Sequence, residues 1–591
     1  MTNYLLTAAL SIPLSLNLYG QNDSKQQKIS FHGNIQSDIL AFPQEDHKIG
    51  TGLYDNKFMT NTYVEFSMNS KFLETGLRFE YMNQPLPGFE PDFKGWGLPH
   101  FYVKGNYKRA ELTLGDFYDQ FGSGILLRAY EERSLGIDNS LRGGRLVLKP
   151  CKGVNLKLLG GQQRYYWHHR NLDSSSSWTY GGDIELNLDR WIKRMKDNAT
   201  FVTLGFSVIN NHAGNEESLI VTRPDKVSSQ FENQGREMNS YRLVMPSDVT
   251  AFDVRANLQK GNYNLLAEYA WKTQDPSSTN NYTYNQGQTL LLSGSYSKSG
   301  MSILLQAKRS EDMAFRSRRM IDKGSNACYI NHLPAFTMQH TYALASLYPY
   351  ATQMSPGEWA FQTEFGYSFK RRTLIGGKYG MNVKVNFSHV RGIEQESDLL
   401  HQNQVGYDAP KSRFFHFGSE TYFQDINVLI EKKISRTFKM NLMYANQLYN
   451  QDVVEGHGSK AIKSHILVAE GNYKISKKMT LRGEAQYLHT CQDQKDWWFG
   501  LLELSILPHF MFTISDQYNG HVPSYTADGA IDDSKGTNEV HYLMGAITYT
   551  HQAHRLQLSY GKTRSGYNCA GGVCRYVPAS KGLLASYSFN F

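Results

Sequence analysis

Nine charged side chains crowd into the stretch GDFYDQFGSGILLRAYEERSLGIDNSLRGGRL, residues 115–146. The acids are Asp116, Asp119, Glu131, Glu132 and Asp138, and the bases are Arg128, Arg133, Arg142 and Arg145. Glycines punctuate the run and permit close backbone approach. Opposed acids and bases on the walls of a narrow aqueous path focus a transverse field, as charged rings do in pores. The stretch reads as an in-folded constriction loop in which Arg128, Arg133, Arg142 and Arg145 oppose Glu131, Glu132 and Asp138. The bland alternative is a solvated loop whose charges neutralise one another.

A second dense stretch covers 308–353. Its basic part holds Lys308, Arg309, Arg316, Arg318 and Arg319, and YINHLPAFTMQHTYALASLYPYATQ follows. That is too aromatic and too long for an ordinary surface loop. It reads as a plug packed inside a lumen, as cover for a partner surface, or as an ordered structural insert.

Other chemistry is thin. The sequence contains no H-E-x-x-H, no G-x-S-x-G and no Walker loop, so no enzyme is expected. His168 and His169 are adjacent and on a strand would face opposite ways, so they cannot share one site. Of five cysteines only Cys569 and Cys574, in NCAGGVC, are close in sequence. They are a candidate loop disulfide in an oxidising compartment. A zinc site would need two further nearby ligands, so neither metal nor cofactor is expected.

The elements that must position these residues are strands. KGLLASYSFNF at the C-terminus places Leu583, Ala585, Tyr587, Phe589 and Phe591 on one face and Leu584, Ser586, Ser588 and Asn590 on the other. NTYVEFSMN, FLETGLRFEY, ILVAEGNYKI, MTLRGEAQYLH, WFGLLELSI and RLQLSYG repeat the alternation, with charged residues on the polar face in strand after strand. A soluble sandwich does not charge one face so persistently. A membrane barrel does, with its greasy face to lipid and its polar face to a lumen.

Composition agrees. Aromatics reach 13% while hydrophobic residues are only 40% and mean hydropathy is -0.50. Past the N-terminus no apolar run approaches the length of a membrane helix, so a membrane-spanning chain of this kind is a barrel. The reading is all-β: a single transmembrane antiparallel barrel of about 24 strands, within 22–26, that fills 21–591 and carries long outer loops. Residues 1–20, apolar from Tyr4 to Leu18, read as a secretory signal. The net charge of +8 is scattered, not gathered into an arm, so no nucleic-acid partner is expected. The polar inner face fits water.

GDFYDQFGSGILLRAYEERSLGIDNSLRGGR, YINHLPAFTMQHTYALASLYPYATQ and CRYVPASKG resemble a family of large, functionally uncharacterised outer-membrane barrels of Bacteroidota. The resemblance spans nearly the whole chain. It implies a barrel in the bacterial outer membrane and brings no substrate or catalytic residue. The terminal Phe591 likewise resembles the sorting signal of such barrels. Two functions follow as expectations. One is a pore for small solutes of unknown identity. The other is a non-conducting scaffold or subunit of an outer-membrane assembly or export complex, with envelope proteins as partners beside the lipid.

Overall fold

The structure, a computed structural model, describes residues 29–591 except 52–55, 167–176, 214–219, 225–237, 322–324, 395–411, 457–460, 527–530 and 571–572. The signal reading of 1–20 and the pair His168–His169 lie outside the described residues. The wall is a closed antiparallel barrel of 24 strands. The sheet contains 25 segments, but Thr537–His541 and Met544–His551 both pair with Phe510–Pro523 and form one interrupted strand. Closure comes from the two ends of the chain. Ser30–Ala41 pairs with Phe58–Asn69 on one side and with Ser580–Asn590 on the other, in the register Asn34↔Asn590 to Ala41↔Leu583. The terminal zipper therefore completes the wall, and Phe591 exchanges backbone hydrogen bonds with Gly33.

The alternation becomes two environments. On Ala461–Lys474, Leu467 is 55% exposed and points outward, while its inward neighbours Ile466 and Val468 are buried. Outward Leu, Phe and Ile recur round the wall, among them Phe101, Leu265, Leu305 and Ile514. That apolar surface faces lipid, because exposed hydrophobic area on this scale has no place in water.

Connections differ between the two ends. At one end they are mostly tight, as at Tyr107–Ala110 and Lys298–Met301, and both termini of the barrel lie there. At the other end lie the long loops, including 118–140 and 312–356.

Burial along the inner face shows where the lumen is filled. From the loop end of Ala461–Lys474 the inward residues Ile462, Ser464, Ile466 and Val468 are buried, Asn472 is half-buried and Lys474 is exposed. Asp248–Lys260 repeats the gradient, from buried Val249, Ala251 and Asp253 to exposed Gln259. The loop half of the lumen is dry and the turn half is open to water. The water-fitting inner face expected of a pore is found in the turn half, and the loop half is filled. Ile466 and Val468 point inward because they meet protein there.

What they meet is the two loops singled out by sequence. Phe121, Ile125, Leu126 and Leu127 from 118–140 join Met313, Phe315, Ile330, Leu333 and Leu344 from 312–356 in one hydrophobic core with the wall. Each such side chain, fully buried, contributes roughly 1.5–3 kcal/mol.

Candidate functional site in the barrel lumen

The in-folded segment is narrower than the charged stretch. Its flanks, Ala110–Phe117 and Leu141–Leu148, are wall strands, so Asp116, Arg142 and Arg145 belong to the barrel. Likewise the second insert begins after Met301–Glu311, so Lys308 and Arg309 are wall residues.

The charges mostly pair loop to wall. Glu131, Arg133 and Asp138 come from the loop, Glu65, Arg78 and Glu80 from the wall, and Arg164 from just beyond Val154–Gln163. Arg78 bonds Glu80 at 2.8 Å and Glu131 at 2.9 Å, and also reaches Asp138. Arg164 meets Asp138 at 2.5 Å and grips Glu80 with two N–H donors at 3.1 and 2.8 Å. The Tyr118 hydroxyl and the Ser140 N–H each donate to Asp138 at 3.0 Å. Arg133 bonds Glu131 at 2.7 Å and also contacts Glu65.

Burial alone would raise the Asp138 carboxyl, but the Arg164 and Arg78 guanidiniums more than offset it and hold it well below the usual carboxylate range. Glu131 is pushed up by burial, only partly offset by Arg78 and Arg133. The two loop carboxylates therefore differ: Asp138 is a fixed anion, and Glu131 is the weaker acid.

The remaining expected pairings differ from the structure. Arg142 forks onto Asp116 at 2.9 and 3.0 Å, within the wall. Arg145 bonds Asp119 and Glu111, and Lys157 reaches Asp119 at 2.7 Å. Arg128 does not oppose the acids; its guanidinium lies 4.4 Å from the Tyr130 ring centroid. Glu132 accepts from the Ser134 N–H and hydroxyl, capping a short turn. A strand places neighbouring side chains on opposite faces, so Glu131 and Glu132 cannot both meet the wall.

The second loop docks by the same logic. Tyr342 donates to Glu470 at 2.9 Å and Tyr348 to Asp493 at 2.8 Å, and His340 lies 2.5 Å from Asp425. Buried Lys308 bonds Glu358 at 2.8 Å, the Pro334 carbonyl at 2.6 Å and Thr352 at 2.8 Å. Asn331 ties the two loops together. Its amide donates to the Ile125 and Met313 carbonyls at 2.9 and 2.8 Å, and its oxygen accepts from the Phe315 N–H at 3.1 Å.

Arg78, Glu80, Arg164 and Asn331 were not singled out from sequence. Arg78 and Glu80 carried a usable signal, since both fall on the polar face of FLETGLRFEY. Asn331 carried none.

Cys569 and Cys574 face each other across the hairpin Gly566–Ala570/Val573–Val577, 4.0 Å apart at Cα and joined as a disulfide. Arg575 of this hairpin stacks 3.9 Å from the Phe89 ring centroid and donates to the Ser134 carbonyl at 3.3 Å. Asn326 donates to the Cys574 carbonyl at 3.0 Å. The hairpin thus rests on both in-folded loops.

Solved structures with some likeness are large barrels. The ferric enterobactin receptor PfeA of Pseudomonas aeruginosa, in a mutant form, is 10% identical, with 96% of this chain and 81% of that one covered and a TM-score of 0.38. The P pilus usher PapC translocation pore is 9% identical, with coverage of 95% and 99% and a TM-score of 0.38. The copper transporter OprC is 8% identical, with coverage of 97% and 83% and a TM-score of 0.39. Likeness at that level carries no functional information. No curated protein matches the sequence. The profile of one family matches residues 1–591 from end to end, and the chain belongs to it: a family of unknown function, DUF6029.

Proposed function

We propose that this protein is an outer-membrane barrel, made with a signal removed near residue 20, whose own loops close its lumen. Its role is that of a non-conducting scaffold for other envelope proteins. One observation carries the reading. The inward wall residues of the loop half, such as Val249, Ala251, Ile466 and Leu488, are buried under 118–140 and 312–356 in one continuous core. A passive pore needs water where this core stands.

The pore reading survives in a gated form, supported by a different observation. The loop 118–140 is held to the wall by ion pairs as well as by its apolar core contacts, and the turn half of the lumen is already wet. Displacing the loop would join that vestibule to the outside.

Planar-bilayer conductance of the purified protein tests the proposal. The intact protein is expected to be silent, and a variant with 120–136 replaced by a short Gly-Ser link to conduct. Steady conductance from the intact protein overturns it. Voltage- or ligand-dependent opening of the intact protein moves the assignment to the gated pore.

A further inference from the structure

The tight connections at the turn end are strongly one-signed. The eleven segments that link wall strands there hold sixteen Lys or Arg and two acids, Asp189 and Asp197. Among the described residues only Arg190 of these cations has an acidic partner, Asp189 at 3.5 Å. The remaining positive charge has no acidic partner among the described residues.

Apolar side chains accompany the cations. In the connection 370–380, with Lys370, Arg371, Arg372 and Lys378, Leu374 is fully exposed and Ile375 is 52% exposed. In the next two connections Ile434 is 47% and Ile475 49% exposed, beside Arg436 and beside Lys477 and Lys478. Ile475 continues the outward row of Leu467 and Tyr473, and Ile434 that of Val428 and Ile430. They extend the lipid-facing surface. Aromatic rings sit among them under cations: Lys378 and Lys433 lie 5.6 and 5.4 Å from the Tyr379 ring centroid, and Lys108 lies 5.1 Å from that of Tyr107.

We propose that this basic, apolar-edged rim binds the phosphate headgroups of anionic phospholipids in the leaflet at the turn end. The apolar side chains enter the acyl boundary while Lys and Arg stems reach back to the phosphates. An acidic protein would satisfy the charge equally well. It would leave Ile434 and Ile475 unexplained, because they point to lipid. The inference rests on the barrel spanning a bilayer.

The test uses the full chain in nanodiscs of phosphatidylcholine with a minority of phosphatidylglycerol, and reads by native mass spectrometry which lipids the protein retains. Retention of phosphatidylglycerol over phosphatidylcholine should exceed its share of the disc by about five-fold or more, the ratio that one interfacial cation supplies. That ratio should shrink when salt is raised to about 0.5 M. The variant Arg371→Gln/Arg372→Gln/Lys378→Gln/Lys477→Gln/Lys478→Gln leaves the lumen untouched and should fall toward parity, with folding checked by heat-modifiable gel mobility. Equal retention by the natural chain, or an unchanged ratio in the variant, overturns the proposal. Tight binding of a polyglutamate probe in pure phosphatidylcholine discs without lipid preference overturns it in favour of a protein partner. Failure to insert into any disc overturns the membrane reading beneath it, a result distinct from a retention ratio of one.

Discussion

At the scale of single residues, the lumen is governed by which charges are matched. Asp312 shows the consequence of an incomplete match. It begins the second loop, accepts a hydrogen bond from Asn285 at 3.0 Å, and is pushed up to about 6 by burial and by neighbouring Glu311. A carboxyl raised in the folded state contributes stability that is fully present below its unfolded value, near 3.8, and is lost as pH rises through about 6. The second loop should therefore loosen as pH climbs through that window, by on the order of 2–3 kcal/mol. Asp312→Asn keeps the acceptor for Asn285 and suits the left-handed backbone at this position, φ 43°. It should flatten the dependence and be the more stable form at pH 7. Thermal unfolding between pH 4 and pH 8 checks this, and parallel pH profiles for the two proteins would count against it. The charged stretch 115–146 was legible as a site of opposed charges, but its partners were not. Glu131 and Arg133 could be guessed as a pair from proximity. Arg78 reaches Asp138 from a distant strand and Arg164 from just past the end of another, and only the register of the barrel brings them there.

At the scale of elements, the strands were the most legible part, because one buried and one lipid-facing side impose a period of two that a reader can count. The loops were legible as unusual and not as joined. Their union depends on Asn331, a buried amide that satisfies two carbonyls and one N–H belonging to both. The Arg128 N–H donates to the Ile330 carbonyl at 2.9 Å, and the His332 N–H to the Gly124 carbonyl at 3.0 Å, on either side of it. Asn331→Ala would strand those groups without water, at roughly 1–3 kcal/mol for each one left unpaired. The two loops should then lose amide hydrogen-exchange protection together, while wall strands such as Phe438–Asn450 keep theirs. Loss confined to 312–356 would show that the loops are separate units. Inward apolar residues such as Ile466 and Val468 did signal a filled lumen. They sit among Ser464, Glu470 and Asn472, and a few hydrophobic residues on a polar face look like noise until their partners are known.

At the scale of the whole molecule, the net charge of +8 conceals an opposition between ends, since the turn end is almost purely basic while the loop end carries more acids than bases. The totals could not show this, because strand boundaries must be placed before charges can be sorted by end. The same division predicts a pattern of proteolysis. Trypsin needs an accessible Lys or Arg in backbone that can open. Arg194, Lys196, Arg371, Arg372 and Lys378 are exposed in the two longest connections of the turn end. Arg316 and Arg319 lie in the long second loop, where an unattached loop of this length would be the first place cut. Both are instead buried, at 1% and 0% exposure, and their loop shares its core with the wall. Cleavage tracks the population of locally opened states, so residues in that shared core should open only with the core itself. Intact protein in mild detergent should be cut at 194–196 and 371–378 while the bonds after Arg316 and Arg319 persist, as read by peptide mapping. Asn331→Ala should expose Arg316 and Arg319 at the same protease concentration. Early cutting at Arg316 or Arg319 in the natural chain would mean that the second loop is a loose lid over an open barrel, and the scaffold reading would fall with it.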